Sequence, residues 1–514
     1  MSAQSSIFNP SQTTSAATGD GFSVPRLTTT GRLAIVFGTG DSGMMVYDTT
    51  LNNLFIWNGT AWASVPDSGD STNEQVIFND NGVLVGDAGL LYNKTDQRLT
   101  VHGNIDIWHG NNPVNTSLAI GRDALDLATT GGANVAIGRR AGNSLTTGSN
   151  SVFVGYQAGF GGGAGSNVAV GSAALFANTA GAENAAVGSS AGSAITTGSY
   201  NSFFGTASGA AVTTGTVNTA IGYYALGNAA QASTASHNIA VGNSSMYSAS
   251  PITGDNNVGI GKDTFRNLTS GANNIAIGPT AGTALTTGGS NTYVGGNSGV
   301  GNLTGATNTG IGFQALNSAT VNDLVAVGAN ALVLNTTGLQ NTAVGRSALA
   351  ANITLSDNTA FGHNAARSIA TGDNTAIGSQ AMGLATTGTG NTAVGKSSIG
   401  NGITTGSYNT CVGLNSGFIL TSGTSNTLIG VDAGAGITTG VSNILIGRGT
   451  STGAAGNANE IAIGSATYFV GTNAAANTYY ATANTGVTLP PAGSNGFWRV
   501  LINGTARKLA VYPD

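Results

Sequence analysis

Charge is scarce in this chain. Only 7% of its 514 residues are Asp, Glu, Lys or Arg, and the formal net charge is −5. With no basic stripe there is no electrostatic footprint for nucleic acid. One cysteine, Cys411, excludes an intrachain disulfide framework; it lies in an apolar repeat slot and reads as a small buried hydrophobe rather than a reactive thiol. No apolar run approaches the roughly 18 residues of a membrane-spanning helix, so no membrane insertion is expected. The polar opening "MSAQSSIFNPSQTTSAATGDGF" lacks the basic n-region and apolar core of a secretory signal. Aromatics make up 6%, proline only nine residues, and the helix formers Glu, Lys and Arg are few.

What is abundant is glycine, 81 residues, beside Ala, Thr, Ser and Asn. The glycines follow no three-residue period, which excludes collagen, and 40% hydrophobic content is too high for a disordered tail. A short signature recurs instead: "NVAIG" from Asn134, "NVAVG" from Asn167, "NAAVG" from Asn184, "NTAIG" from Asn218, "NTAVG" from Asn341 and Asn391, "NTAIG" from Asn374 and "NILIG" from Asn443. Anchored on its final glycine, it forms 21 rungs between Gly121 and Gly464, with a mean spacing of about 17 residues. That period predicts an all-β, elongated parallel β-solenoid with one coil per repeat. At about 4.8 Å per coil its length is roughly 100 Å.

The columns of the repeat carry the physics. Before the anchor stands Ile, Val or Phe (Ile137, Val154, Phe204, Ile221, Phe361, Ile463), and before that mostly Ala, with Phe153, Phe203, Tyr293, Cys411 and Leu428 as variants. These two columns point to opposite faces of a strand, and both are apolar. The β-branched column is expected to line each chain's own core, and the alanine column to receive sister chains in a parallel homotrimer. A "TTG" turn follows in many rungs, where glycine is expected to supply positive φ. Asn stands four before the anchor in 17 of 21 rungs, the exceptions being Ser117, Ser151, Leu324 and Glu460. Stacked coils would align Asn134, Asn167, Asn184, Asn218, Asn341, Asn374, Asn391 and Asn443 into an amide ladder.

Outside the repeat the chain divides into smaller parts. Residues 1–22 are taken as a virion-anchoring segment and 23–68 as a β-hairpin module with Trp57 and Trp62. Residues 69–115 read as a β-rich connector with an Asn81-Gly82 turn, 116–470 as the repeat shaft, and 471–514 as a C-terminal β cap. Open solenoid ends need capping, because unpaired strand edges aggregate.

The "N-x-A-[IV]-G" rungs resemble the head repeats of trimeric autotransporter adhesins, whose heads are left-handed parallel β-rolls assembled as trimers. They resemble still more the longer repeats of bacteriophage tail fibres. "VPRLTTTGRLA…GMMVYDTTLNNLFIWNGTAW" is similar to an N-terminal module of phage fibres, "NEQVIFNDNGVLVGDAGLLYN" to the segment that often follows it, and "GVTLPPAGSNGFWRVLINGTARKLAVYP" to a small β module of phage appendages. Nothing resembles the self-cleaving chaperone that ends many related fibres. The resemblance implies a structural and adhesive virion fibre, located on the tail or another surface appendage. Its N-terminal part would meet a tail, baseplate or adaptor protein, and its distal end a host surface glycan or protein.

Chemistry is not expected. "GNTAVGKS", Gly390 to Ser397, fits the phosphate-loop pattern, but Gly395 is an ordinary anchor and no strand-to-helix turn follows. Asp357 and Asp373, each five before an anchor on adjacent rungs, would stack about 5 Å apart, the spacing of a retaining glycosidase; exposed turn aspartates explain them as well. His102, His109, His237 and His363 have no metal-ligand spacing. Thus no catalytic, cofactor or metal residue is assigned. The candidate receptor-binding set is Tyr479, Tyr480, Trp498, Arg499 and Tyr512, because aromatic plus arginine is the composition of recognition surfaces; such residues equally fill the core of a cap. Other classes are a capsid or collar decoration fibre without receptor, a bacterial surface adhesin, for which a signal peptide and membrane barrel are lacking, and an ice-binding solenoid, disfavoured because the Thr column alternates with Val, Ile and Leu.

Overall fold

A computed structural model describes residues 24–36, 43–64, 74–80, 83–93, 98–101, 105–108, 117–227, 232–384, 387–400, 405–464, 470–473, 478–481, 497–502 and 505–510. The segment 1–22 lies outside them. The chain divides into two compact units, Met1–Thr179 and Ala180–Asp514.

The first unit opens with a four-stranded sheet. Strand β1 (Arg26–Leu27) pairs in parallel with β2 (Met45–Asp48), across the short helix α1 (Thr29–Leu33). Strands β2, β3 (Asn53–Trp57) and β4 (Trp62–Ser64) form an antiparallel meander. Its turns use Asn52 at φ 54° and Gly59 at φ 96°, conformations that asparagine and glycine tolerate best. Antiparallel strands β5 (Glu74–Asp80), β6 (Val83–Asn93), β7 (Arg98–Val101) and β8 (Ile105–Trp108) follow. The last of these pairs antiparallel with Leu118–Ile120, the first coil strand.

Coils of a parallel β-solenoid then begin, four in the first unit (strands Leu118–Ile120 to Val168–Val170) and seventeen in the second (Ala185–Val187 to Glu460–Ile463). Each coil contributes one three-residue strand, four residues in the last, and within each unit neighbours pair in parallel with zero offset. Ala186 lies beside Phe203, Phe203 beside Ala220, and Ala343 beside Ala360. After the coils, Val470–Asn473 and Thr478–Ala481 form an antiparallel hairpin on Glu460–Ile463, and Phe497–Ile502 pairs with Thr505–Ala510 in a separate two-stranded sheet.

The core is the reverse of the sequence expectation. The alanine column points inward: Ala136, Ala186, Ala220, Ala343, Ala376 and Ala393 are fully buried. The β-branched column points outward, with Ile137, Ile221, Ile277, Ile377 and Phe361 exposed. Volume decides the direction. A 17-residue coil encloses a narrow interior, already filled by Leu145, Leu175, Ile195, Leu226 and Leu285, and only small strand side chains fit beside them at interior density.

Where the inward strand residue is large, the residue four after the anchor is glycine in five coils; Leu445, followed by Ser451 in that slot, is the exception. A Cβ at Gly159 would lie 2.3 Å from the Phe153 ring, one at Gly209 2.5 Å from Phe203, and one at Gly299 2.4 Å from Tyr293. Cys411 faces Gly417 and Leu428 faces Gly434 in the same way. Where the strand residue is Gly259 or Gly310, that later slot holds Phe265 or Leu316. Burial raises the Tyr293 hydroxyl to about 12, against the lowering effect of hydrogen bonds with Asn302 and Asn308; Asn302 Nδ2 donates to it at 2.5 Å. Burial likewise pushes the Cys411 thiol up to about 12.

The role of the "TTG" glycine also needs correction. Gly198, Gly288, Gly406 and Gly440 do not have positive φ. They are glycine for lack of room, since a Cβ at Gly198 would lie 2.3 Å from the Gly215 carbonyl oxygen of the next coil. Left-handed backbone falls elsewhere, five before the anchor (Tyr200, φ 62°), two after it (Tyr224, φ 53°) and four after it (Leu175, φ 50°). A left-handed leucine costs roughly 1–2 kcal/mol, which burial of its side chain, about 1.5–3 kcal/mol, offsets. The anchors themselves combine both constraints: Gly345 has φ +127°, and a Cβ there would lie 2.5 Å from the Gly362 oxygen.

Candidate functional site

Three features of the described residues bear on function: a buried polar column, an outward apolar face and a polar cluster in the N-terminal sheet.

The asparagine column is fully buried, so every amide group in it needs a partner. Asn201 donates both its backbone N–H and its Nδ2 to Asn184 Oδ1, each at 3.0 Å, and Asn218 does the same to Asn201 at 2.9 and 3.1 Å. The remaining Nδ2 hydrogen reaches a turn carbonyl of the next coil, as from Asn201 to Gly215 at 3.0 Å. Backbone-to-Oδ1 bonds continue through Asn238, Asn257, Asn274, Asn291 and Asn308 to the N–H of Leu324. They continue again from Asn341 through Asn358, Asn374, Asn391, Asn409, Asn426 and Asn443 to Glu460. In the first unit the hydroxyls of Ser117 and Ser151 take the acceptor role for Asn134 and Asn167, at 2.9 and 3.1 Å. Its amide groups are spent on the neighbouring coils, and the column fixes their register.

The outward strand face has the opposite character. In the second unit it presents the residue before each anchor, Ile, Val or Phe in every coil, together with the residue two earlier, which is Thr in nine of the seventeen coils and mostly Ile or Val in the others. Ile239, Ile275, Ile444 and Ile461 are exposed beside Ile260, Ile277, Ile429 and Ile446, with Phe361 at 56% and Ile463 at 63%. Parallel sheets are normally covered on both faces, and a contiguous apolar stripe marks an interaction surface.

In the N-terminal sheet, Asp48 is fully buried and paired with Arg32 at 2.9 Å. It also accepts from Thr29 Oγ1 and from the N–H groups of Thr50 and Leu51. Burial raises its pKa, but these hydrogen bonds, that of Arg32 foremost, outweigh it and leave the value at about 2. The Arg32 guanidinium lies 3.6 Å from the Phe55 ring centroid, and its carbonyl accepts from Trp62 Nε1 at 3.1 Å. Trp57 and Trp62 meet edge to face at 5.7 Å. The sequence displays the two tryptophans; the Arg32–Asp48 pair emerges only when the helix folds onto β2.

The remaining candidates are dispersed. The N–H groups of Gly395 and Ser397, which a phosphate loop would direct at an anion, donate to Ile377 and Ser379 in the preceding coil, and a turn rather than a helix follows. Asp357 and Asp373 are exposed left-handed turn residues with no ion pair among the described residues. Tyr479 and Tyr480 lie on the strand Thr478–Ala481, whereas Trp498 and Arg499 lie on the separate sheet, opposite Leu509 and Lys508; Tyr512 falls outside the described residues. No cluster of three or more His, Cys, Asp or Glu able to hold a metal occurs among the described residues, and no helix there is long and apolar enough to cross a membrane.

A family model described as a phage tail like trimerisation region matches residues 4–83. Its span includes the four-stranded sheet and the Arg32–Asp48 pair. No curated protein and no solved structure matches the chain. The matched region supports a homotrimer and a structural part in a phage tail. Taken with the parallel β-solenoid, it fits a phage tail fibre with β-roll repeats.

Proposed function

We propose that the chain is the subunit of a trimeric phage tail fibre that projects from the particle and contacts the host surface, without a catalytic step. The observation that carries this is the trimerisation-region match joined to a solenoid whose outward strand face carries an unbroken column of Ile, Val and Phe. In the trimer, the Ile, Val and Phe column of each chain packs against its sisters, while the alanine column stays inside each coil. The N-terminal part meets a tail or baseplate adaptor, and the C-terminal strands that carry Tyr479, Tyr480, Trp498 and Arg499 face a host glycan or protein.

Sedimentation of the full chain tests the assembly: a trimer is expected, and Ile277→Glu with Ile311→Glu should weaken it by placing charge in an apolar contact. A monomeric wild type sinks the fibre assignment. Adsorption of the purified fibre to host cells, with immunogold labelling of particles, tests attachment. Binding to neither cells nor tails ends the adhesive part.

A further inference from the structure

Aromatic side chains are few in this chain, yet three tyrosines meet on the surface of consecutive coils. Tyr223 and Tyr224 directly follow the anchor Gly222. Because Tyr224 is left-handed (φ 53°), the two neighbouring rings turn to one side and meet edge to face at 4.4 Å and 78°. Tyr247 of the next coil meets Tyr224 at 5.7 Å, again near-perpendicular. On the third coil the Arg266 guanidinium lies 5.9 Å from the Tyr247 ring, and its Nη1 pairs with Asp263 Oδ1 at 3.5 Å.

The cluster coincides with the repeat's widest irregularity: twenty residues separate Gly222 from Gly242 and nineteen separate Gly242 from Gly261. Core packing does not account for it, since Tyr223 is 52% exposed and Tyr247 half-buried, while Leu226 and Met246 fill the interior of the same coils.

We infer that Tyr223, Tyr224, Tyr247, Arg266 and Asp263 form a lateral binding site for a hexopyranose-containing polysaccharide. In an edge-to-face pair the rim of one ring meets only one face of the other, and Tyr223 stays 52% exposed, so the axial C–H face of a pyranose has an aromatic surface to stack on. The guanidinium, carboxylate and phenol hydroxyls around it supply donors and acceptors for sugar hydroxyls. Coils rise by about 4.8 Å, close to the advance of one pyranose unit, so a glycan running along the stack meets one coil per sugar. The inference rests on the host-contact function proposed above and moves part of that contact from the C-terminal strands to the side of the solenoid.

The test uses the full chain on an array of purified bacterial capsular and O-antigen polysaccharides. At least one should bind, with affinity falling tenfold or more in Tyr223→Ala/Tyr247→Ala and kept within about threefold in Tyr223→Phe/Tyr247→Phe, since phenylalanine preserves the stacking face. The melting temperature and oligomeric state of both should match wild type. Three results overturn the inference: no polysaccharide bound, equal binding by the alanine variant, or an altered oligomeric state, which would make the cluster an intersubunit contact. Cell adsorption by wild type, measured separately, decides the host-contact function. Adsorption that survives the alanine pair but is lost with Arg499→Ala keeps that function and removes this site.

Discussion

Asn218 shows what a single residue carries in this architecture. Its Oδ1 accepts from the N–H of Asn238 at 3.0 Å, and its Nδ2 donates to Asn201 Oδ1 and to the Ala235 carbonyl at 2.8 Å. All of these groups are buried, so Asn218→Ala strands a backbone donor and should cost about 1–3 kcal/mol. Asn218→Ser should cost measurably less, because a hydroxyl does the same work at Ser117 and Ser151. Chemical denaturation of the two variants checks this, and equal losses would show that the acceptor is unimportant. The Asn column is visible in the sequence because its position relative to the anchor hardly varies. The direction of each amide is not, since donor and acceptor are assigned only once the neighbouring coil is in place.

Among the elements, the N-terminal sheet differs most from the coils, being held by a buried ion pair rather than by repetition. The Asp48 pKa is depressed from 3.8 to about 2, so its contribution to stability is complete above the unfolded value and is lost as pH falls through the folded one. The sheet should therefore lose stability between about pH 4 and pH 2, read from denaturant titrations followed by fluorescence of Trp57 and Trp62 in a chain with Trp108→Phe and Trp498→Phe. Asp48→Asn should destabilise it at neutral pH and flatten that acid transition; an unchanged transition would assign the acid sensitivity to other groups. The hairpin turns at Asn52 and Gly59 were legible from turn residues alone. The Arg32–Asp48 pair was not, because sixteen residues separate its partners and no local pattern joins them.

For the whole molecule, the period of the repeat revealed the solenoid, but not which strand face turns inward. Alternation places Ala220 and Ile221 on opposite faces without saying which is inside; the interior volume settles that, through packing against Leu226 and its counterparts. The tyrosine cluster is not legible in the sequence for a related reason: its members occupy three different slots on two unusually long coils.

Equivalence of the coils leads to a prediction about the entire chain. Deleting residues 341–357, one full repeat, joins Gln340 to Asn358, which stands seventeen residues after Asn341 in the same column. This variant should keep wild-type circular dichroism and assembly, whereas deleting 342–349 should aggregate, because half a coil breaks zero-offset pairing and exposes strand edges. Loss of folding in the full-repeat deletion would mean that individual coils are not interchangeable.

Zero-offset stacking makes each turn a template for the one above it, like courses of identical brick. Gene duplication or loss can then lengthen or shorten the stack in increments of about 4.8 Å, with no new joint to invent and no adjustment demanded of either terminus.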